Sequence, residues 1–266
     1  VTCPGDALFW RRPDGVSYRG RAAGWPAFFE AQARDFGATD VAFLGAHRPA
    51  HAAALPVATA LGLRRHHVEL GYIRPDWLPV EPEAGGAGGR FPRDWSSIEA
   101  LAQAPPPEET RLYRASFAAS AAMDVAWNLS NLALSRVTHP AYRRHAIWHP
   151  LAEYGGFLLT PARAAREARR AAQVWQAWRD APVFLFPLQL RTDFQIRRHG
   201  PDAELRVTAR SIVDSFARHA PADARLLVKE HPVDNSLTPW RRLLREAAGH
   251  AAERVEVVRG GDLDAL

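Results

Sequence analysis

Three short segments of this 266-residue chain place ionisable side chains beside residues that end a strand. In Val228-Lys229-Glu230-His231-Pro232, the period of a strand puts Lys229 and His231 on one face, and Pro232 stops the run. An ammonium and an imidazole side by side suit a phosphate; a solvated strand terminus is the plainer alternative. In Pro187-Leu188-Gln189-Leu190-Arg191-Thr192-Asp193-Phe194-Gln195, Asp193 lies among arginines and glutamines. Nearby arginines keep a carboxylate ionised at neutral pH, as a nucleophile requires, whereas the simpler role is the N-cap of a helix or turn. In Glu69-Leu70-Gly71-Tyr72-Ile73-Arg74-Pro75-Asp76-Trp77, a glutamate ends an apolar strand. That placement is costly unless the group is exposed or paired, with Arg74 as the nearest cation, and a surface ion pair would also account for it.

The elements that must hold these groups read as alternating strands and helices. Val41 to Gly45 and His66 to Leu70 are strand candidates, the first a buried run, separated by a helix over Ala50 to Leu61. Trp25 to Phe36 is a further helix. This rhythm predicts a parallel sheet with crossover helices. From Pro79 to Pro107 the Gly- and Pro-rich composition predicts a long surface loop holding at most a short helix from Ser97 to Gln103. Ala115 to Leu134 reads as a helix buried along Phe117, Ala121, Val125, Leu129 and Leu132.

The second half repeats the pattern. Pro182 to Phe186 is a buried strand stopped by Pro187, and Glu204 to His219 a helix buried along Leu205, Ala209, Ile212, Val213 and Phe216. Ala224 to Lys229 is a strand, Pro239 to Ala248 a helix capped by Thr238, and Val255 to Val258 a strand. A helix from Pro161 to Arg179, capped by Thr160, joins the two α/β halves. In open α/β sheets ligands bind beyond the carboxyl ends of the strands, which is where all three segments fall.

Composition narrows the classes. Hydrophobic residues make up 47% and charged residues 24%, an ordinary globular balance that excludes intrinsic disorder. A single cysteine, Cys3, excludes a disulfide framework and a cysteine-based metal site. His139, His145 and His149 lack a carboxylate partner, so no metal is expected. Gly85 to Gly89 lacks the Lys-Ser/Thr of a phosphate loop and reads as linker. The net charge of +5 suits an anionic ligand or lipid; nucleic acid would rest on charge alone, with no motif, and is not expected as a partner.

In order along the chain, Leu8-Phe9-Trp10-Arg11-Arg12-Pro13, Tyr18-Arg19-Gly20, the Glu69 to Trp77 string, Phe91-Pro92-Arg93-Asp94, Pro187-Leu188-Gln189 with Asp193-Phe194-Gln195-Ile196, and Lys229-Glu230-His231-Pro232 resemble the capsule polysaccharide biosynthesis family of the KpsS/LipB type. The resemblance implies two Rossmann-like, GT-B-like domains joined by a helical connector. These are an acceptor-side domain over 1–155 with a helical insertion, a connector helix over 156–180 and a nucleotide-sugar-binding domain over 181–266. It implies a retaining β-Kdo transferase that moves Kdo from CMP-Kdo, the donor substrate, to a phosphatidylglycerol-type lipid, with no cofactor and no metal. Asp193 resembles the nucleophile and Glu69 the acid/base. Lys229 and His231 match the segment expected at the cytidylate phosphate, with His231 also counted as catalytic. Gln189, Arg191 and Arg74 are expected at the sugar carboxylate or phosphate. The implied place is peripheral, at the cytoplasmic face of the inner membrane, with other capsule assembly proteins as partners. Relative to the family pattern, the chain is expected to lack elements at both ends. The alternative is a non-catalytic accessory protein that binds lipid or a transferase through its arginine-rich connector.

Overall fold

A computed structural model describes residues 2–10, 12–45, 47–70, 77–85, 88–105, 116–158 and 160–261. The fold is mixed α/β, with two three-stranded sheets, and the chain divides into two units, Val1–His145 and Ala146–Leu266.

In the first unit a short helix α1 (Pro4–Phe9) precedes α2 (Trp25–Phe36), β1 (Asp40–Leu44), α3 (Pro49–Ala60) and β2 (Arg64–Val68). Strands β1 and β2 pair in parallel, in register from Asp40↔Arg64 to Leu44↔Val68. The expected all-parallel sheet is corrected by β3 (Val80–Pro82), which pairs antiparallel to β2 inside the segment read as loop. Three residues with one Pro carry too little periodicity to announce a strand. Strand β2 also begins two residues before the expected run, so Glu69 follows the strand instead of lying in it. The rest of this unit is α4 (Trp95–Ala102), capped by the Asp94 carboxylate on the Ser97 N–H at 2.9 Å, and α5 (Phe117–Thr138).

Helix α5 departs most from expectation. Its apolar positions Phe117, Val125, Leu129 and Leu132 are exposed, Phe117 at 79%, while Asn128 and Asn131 are buried. The buried stripe is set by α1, whose Gly5 N–H donates to Asn131 Oδ1 at 2.8 Å and whose Asp6 accepts from the Trp127 indole at 3.2 Å. A helix chosen for polar contacts with its neighbour does not display its partner face as an apolar period.

The second unit runs α6 (Pro150–Leu158), α7 (Thr160–Trp178), β4 (Val183–Pro187), α8 (Phe194–His199), α9 (Leu205–His219), β5 (Arg225–Lys229), α10 (Trp240–Ala248) and β6 (Val255–Val258). All three strands are parallel, with β5 in the centre. On one face α9 and α10 supply Leu205, Ala209, Val213, Phe216, Trp240, Leu243 and Leu244 to a core with Leu226, Val228, Val255 and Val257. On the other, α7 packs Ala171, Val174, Trp175 and Trp178 against Leu227, Val258 and Val183. Helix α7 is therefore part of the core of this unit.

β4 ends at Pro187, as expected, and Pro187 is its last paired residue, opposite Lys229; a missing N–H is tolerated at the end of an edge strand. Two local expectations are corrected here. The edge position also leaves Phe184 52% exposed and Leu185 exposed, where a buried strand was expected; β1, likewise an edge strand, leaves Leu44 exposed. Thr238 does not cap α10: Pro239 holds that position without a side-chain bond, and Thr238 is buried. Helix α6 was not foreseen. Its Gly156 lies against the main chain of the β5–α10 loop, where a Cβ would come within 2.1 Å of the Asn235 carbonyl oxygen.

Candidate functional site

The parallel register brings the ends of β4 and β5 level, and the Leu188 N–H donates to the Lys229 carbonyl at 2.8 Å just beyond them. Glu230 continues the ladder, its N–H donating to the Val258 carbonyl at 2.9 Å. Lys229 and His231 thus stand at the carboxyl end of the central strand, with Asp193 on the segment that leaves β4.

Lys229 is 3% exposed, and its side chain has no hydrogen bond or ion pair among the described residues. An ammonium on the wall of a cavity, with no carboxylate in ion-pair reach among the described residues, favours an anion. His231 is anchored through Nδ1, which accepts from the Val233 N–H at 3.2 Å and leaves Nε2 as the protonated nitrogen. Burial pushes its imidazole below the ordinary histidine value; Lys229 acts in the same sense, while the Asp234 and Asp193 carboxylates oppose both. Three of the expected site residues, Asp193, Lys229 and His231, are therefore electrostatic neighbours.

Asp193 is the N-cap of α8, with Oδ1 accepting from the Gln195 N–H at 2.8 Å. The half-exposed carboxylate is held in one rotamer by that bond, which engages one of its two oxygens. Capping and nucleophilic readings of the sequence thus fall on the same side chain. Gln189 is exposed just past β4. Arg191 is tied up: its Nε and Nη2 donate to the two Glu204 carboxylate oxygens at 2.8 Å each, and its guanidinium lies 5.3 Å from the centroid of the Trp148 ring. That fork holds Glu204, the N-cap of α9, down at about 2.

Glu69 belongs to the first unit, one residue beyond β2, with its N–H donating to the Pro79 carbonyl at 3.1 Å. Its Oε1 is buried and has no hydrogen-bond partner among the described residues. Arg74, its expected partner, lies outside the described residues. His51, which the sequence reading passed over, sits near Glu69; its Nδ1 is 2.9 Å from the Gly45 carbonyl, and burial pushes its imidazole down against the charge of Glu69.

Sequence reasoning also missed a cavity of about 550 Å³ beyond β5 and β6, lined by Arg163, Glu167, Lys229, Glu230, Arg241 and Arg259 among others. The signal was available: Arg259-Gly260-Gly261 follows the end of β6, as Lys229-Glu230-His231 follows β5. Among the described residues no group of three or more His, Cys, Asp or Glu is placed to hold a metal ion.

Comparison with known proteins adds an independent line. The family model described as "Capsule polysaccharide biosynthesis protein" matches residues 39–266. The chain is 25% identical over 252 residues to the "Capsule polysaccharide export protein KpsS" of Escherichia coli, covering 91% of this chain and 62% of that protein. It is 25% identical over 242 residues to the "Capsule polysaccharide modification protein LipB" of Neisseria meningitidis serogroup B, covering 88% and 57%. The chain thus spans about 60% of the length of these curated relatives. No solved structure is a significant match.

Proposed function

The chain belongs to the capsule polysaccharide biosynthesis family, and from that premise we propose that it serves capsule assembly as a retaining β-Kdo transferase. The donor is CMP-Kdo and the acceptor a (lyso)phosphatidylglycerol-type lipid, presented at the cytoplasmic face of the inner membrane. The observation that carries this reading is the buried, unpaired Lys229 beside His231 and Asp193 at the strand ends of the second unit.

In this mechanism the Asp193 carboxylate attacks the anomeric carbon of the sugar. The bond from that carbon to the phosphate oxygen breaks, and CMP departs with the electron pair. Lys229 and His231 stabilise the charge that develops on the phosphate. A hydroxyl of the acceptor then attacks the same carbon, Glu69 takes its proton, and Asp193 is released. Two inversions give net retention. The reading requires a GT-B-like pair of Rossmann-type domains in which Glu69 reaches the sugar held by the second unit. Arg74 and Gln189 are the proposed contacts to the sugar carboxylate, with Arg191 acting through its fork to Glu204. The reaction as written needs no cofactor. A peripheral location agrees with the absence, among the described residues, of any helix long and apolar enough to cross a membrane.

Mass spectrometry of the protein incubated with CMP-Kdo tests the proposal. The expected result is a covalent sugar adduct on the peptide that contains Asp193, absent from Asp193→Asn. Full turnover by that variant overturns the assignment. Binding to liposomes without any turnover favours the accessory reading, against which stands the packing of α7: Ala171 is in the core and Arg170 is paired with Glu256.

A further inference from the structure

The cavity in the second unit is charged in an unusual pattern. Five cationic side chains line it, those of Arg163, Lys229, Arg241, Arg242 and Arg259, together with the carboxylates of Glu167 and Glu230. Some of these are already engaged. Arg241 lies 3.7 Å from Glu167, Arg242 lies 3.8 Å from Glu246, and Arg259 donates to the Asp234 carbonyl. Arg163 and Lys229 form no ion pair among the described residues.

Glu230 is the misfit. Its side chain is only 16% exposed, its nearest cation is Arg259 at 4.0 Å, and no hydrogen bond reaches its carboxyl among the described residues. Every charged group near it comes from an identified element: Asp234 from the loop after β5, Glu167 from α7, Arg241 from α10 and Arg259 from the end of β6. Burial pushes the Glu230 carboxyl up to about 7; Asp234 and Glu167 add to the rise, and Arg259 and Arg241 oppose it.

We propose that this cavity binds a tetrahedral oxyanion among Arg163, Lys229 and Arg259, and that Glu230 takes up one proton as the anion enters. An ionised Glu230 repels the anion, whereas the neutral carboxyl donates an O–H to one of its oxygens, so binding and protonation favour each other. The sign follows: affinity is highest below the titration of Glu230 and falls as pH rises through it. The inference rests on the proposed function only for the identity of the natural anion, the phosphate of a cytidylate-linked donor. A free oxyanion shares the chemistry.

The test is isothermal titration calorimetry of the full chain with sodium sulfate, at constant ionic strength, at pH 6.5, 7.2 and 8.0. Sulfate does not titrate in this range, and burial pushes the His231 imidazole below its ordinary value. The expected loss of sulfate affinity is about eightfold from pH 6.5 to 8.0, with proton uptake at pH 7.2 measured by comparing buffers of different ionisation heat. Glu230→Gln should bind sulfate with no pH slope; Arg163→Ala should bind it more weakly at every pH but keep the slope. Equal affinity at pH 6.5 and 8.0 in the unaltered protein, or no sulfate binding at all, overturns the inference. A parallel titration with CMP separates it from the transferase reading, because the ionisation of the CMP phosphate itself appears equally in the unaltered protein and in Glu230→Gln. Identical CMP slopes in the two proteins would remove the proton and leave the transferase standing. Proton-linked sulfate binding without CMP binding would keep the site and remove the nucleotide from it.

Discussion

The two units are packed differently. The second covers both faces of its parallel sheet with aliphatic and aromatic side chains, from Val213 and Leu244 on one side to Ala171 and Trp175 on the other. Among the described residues each unit also buries polar side chains: His67, Asn128, Asn131 and His139 in the first, and Lys229, Asp234, Asn235 and Thr238 in the second. Asn128 Oδ1, Asn131 Nδ2, His139 Nε2 and the Tyr142 hydroxyl have no hydrogen-bond partner among the described residues. Burial pushes the Tyr142 phenol up to about 12 and the Cys3 thiol up to about 11, so both stay neutral. Each unmet buried polar atom costs about 1–3 kcal/mol. The difference teaches that the charged strand ends of Lys229 and Glu230 are supported by dense apolar packing, whereas several buried polar atoms without partners gather along α5 and just after it in the first unit.

The largest effect that could break this comparison is chemical. Asp193→Asn keeps an acceptor for the Gln195 N–H, so α8 stays capped while the proposed nucleophile is lost. The expected outcome is a fall in sugar transfer of about 10⁴-fold with an unchanged melting temperature, read by a transfer assay alongside calorimetry. Loss of folding in this variant would place the residue in the scaffold instead.

The next effect compares packing. Leu244→Ala in the second unit should destabilise by about 3–5 kcal/mol in urea unfolding, because Leu244 is enclosed between α9, α10 and the sheet. Leu63→Ala in the first unit should cost about 2 kcal/mol, since Leu63 keeps some solvent exposure where Leu244 keeps none. Equal losses would erase the contrast.

A smaller effect sits at the edge of the site. Arg191→Ala releases Glu204 and should cost about 1–2 kcal/mol at pH 7. Because Glu204 is held down at about 2 against an ordinary 4.5, its contribution is complete above pH 4.5 and is lost as pH falls toward 2. Acid unfolding curves of the unaltered protein and Arg191→Ala should therefore approach one another below pH 4.5 and converge only near pH 2. The smallest expected change is a gain. Asn128→Leu removes an unmet carbonyl oxygen along with a local bond to Asp124, and should raise stability by about 1 kcal/mol. A loss of stability would show that the polar interior is needed for folding.

How far these regions could be read from the sequence follows the same divide. Along α9 the stripe of Leu205, Ala209, Val213 and Phe216 is buried as its period predicts, with Ile212 only half-buried, and β5 and β6 lie within a residue of expectation. Apolar periodicity reports packing where packing is apolar. It fails at α5, where Asn131 is matched to Gly5 and the Trp127 indole to Asp6, more than a hundred residues away. The strand-end rule located Lys229, His231 and Asp193 without coordinates, because a parallel strand delivers its last residues to one rim. It could not reveal that Arg191 is spent on Glu204, or that Arg163, on a helix read as a connector, lines the cavity beside Lys229. Those facts depend on which distant chain segment arrives alongside.

Gly156 shows how narrowly the loop after β5 is set. With the Asn235 carbonyl oxygen 2.1 Å from where a Cβ would stand, helix α6 and the loop meet main chain to main chain, and even a methyl group would act as a wedge. Relief requires about 1 Å of movement, and the loop that yields is the one that carries His231 and Asp234. Displacements of that size at a reacting centre can cost about a hundredfold in rate. A position with no chemistry of its own therefore works as an alignment screw: tightening it by one carbon detunes the imidazole while the hydrophobic core stays intact.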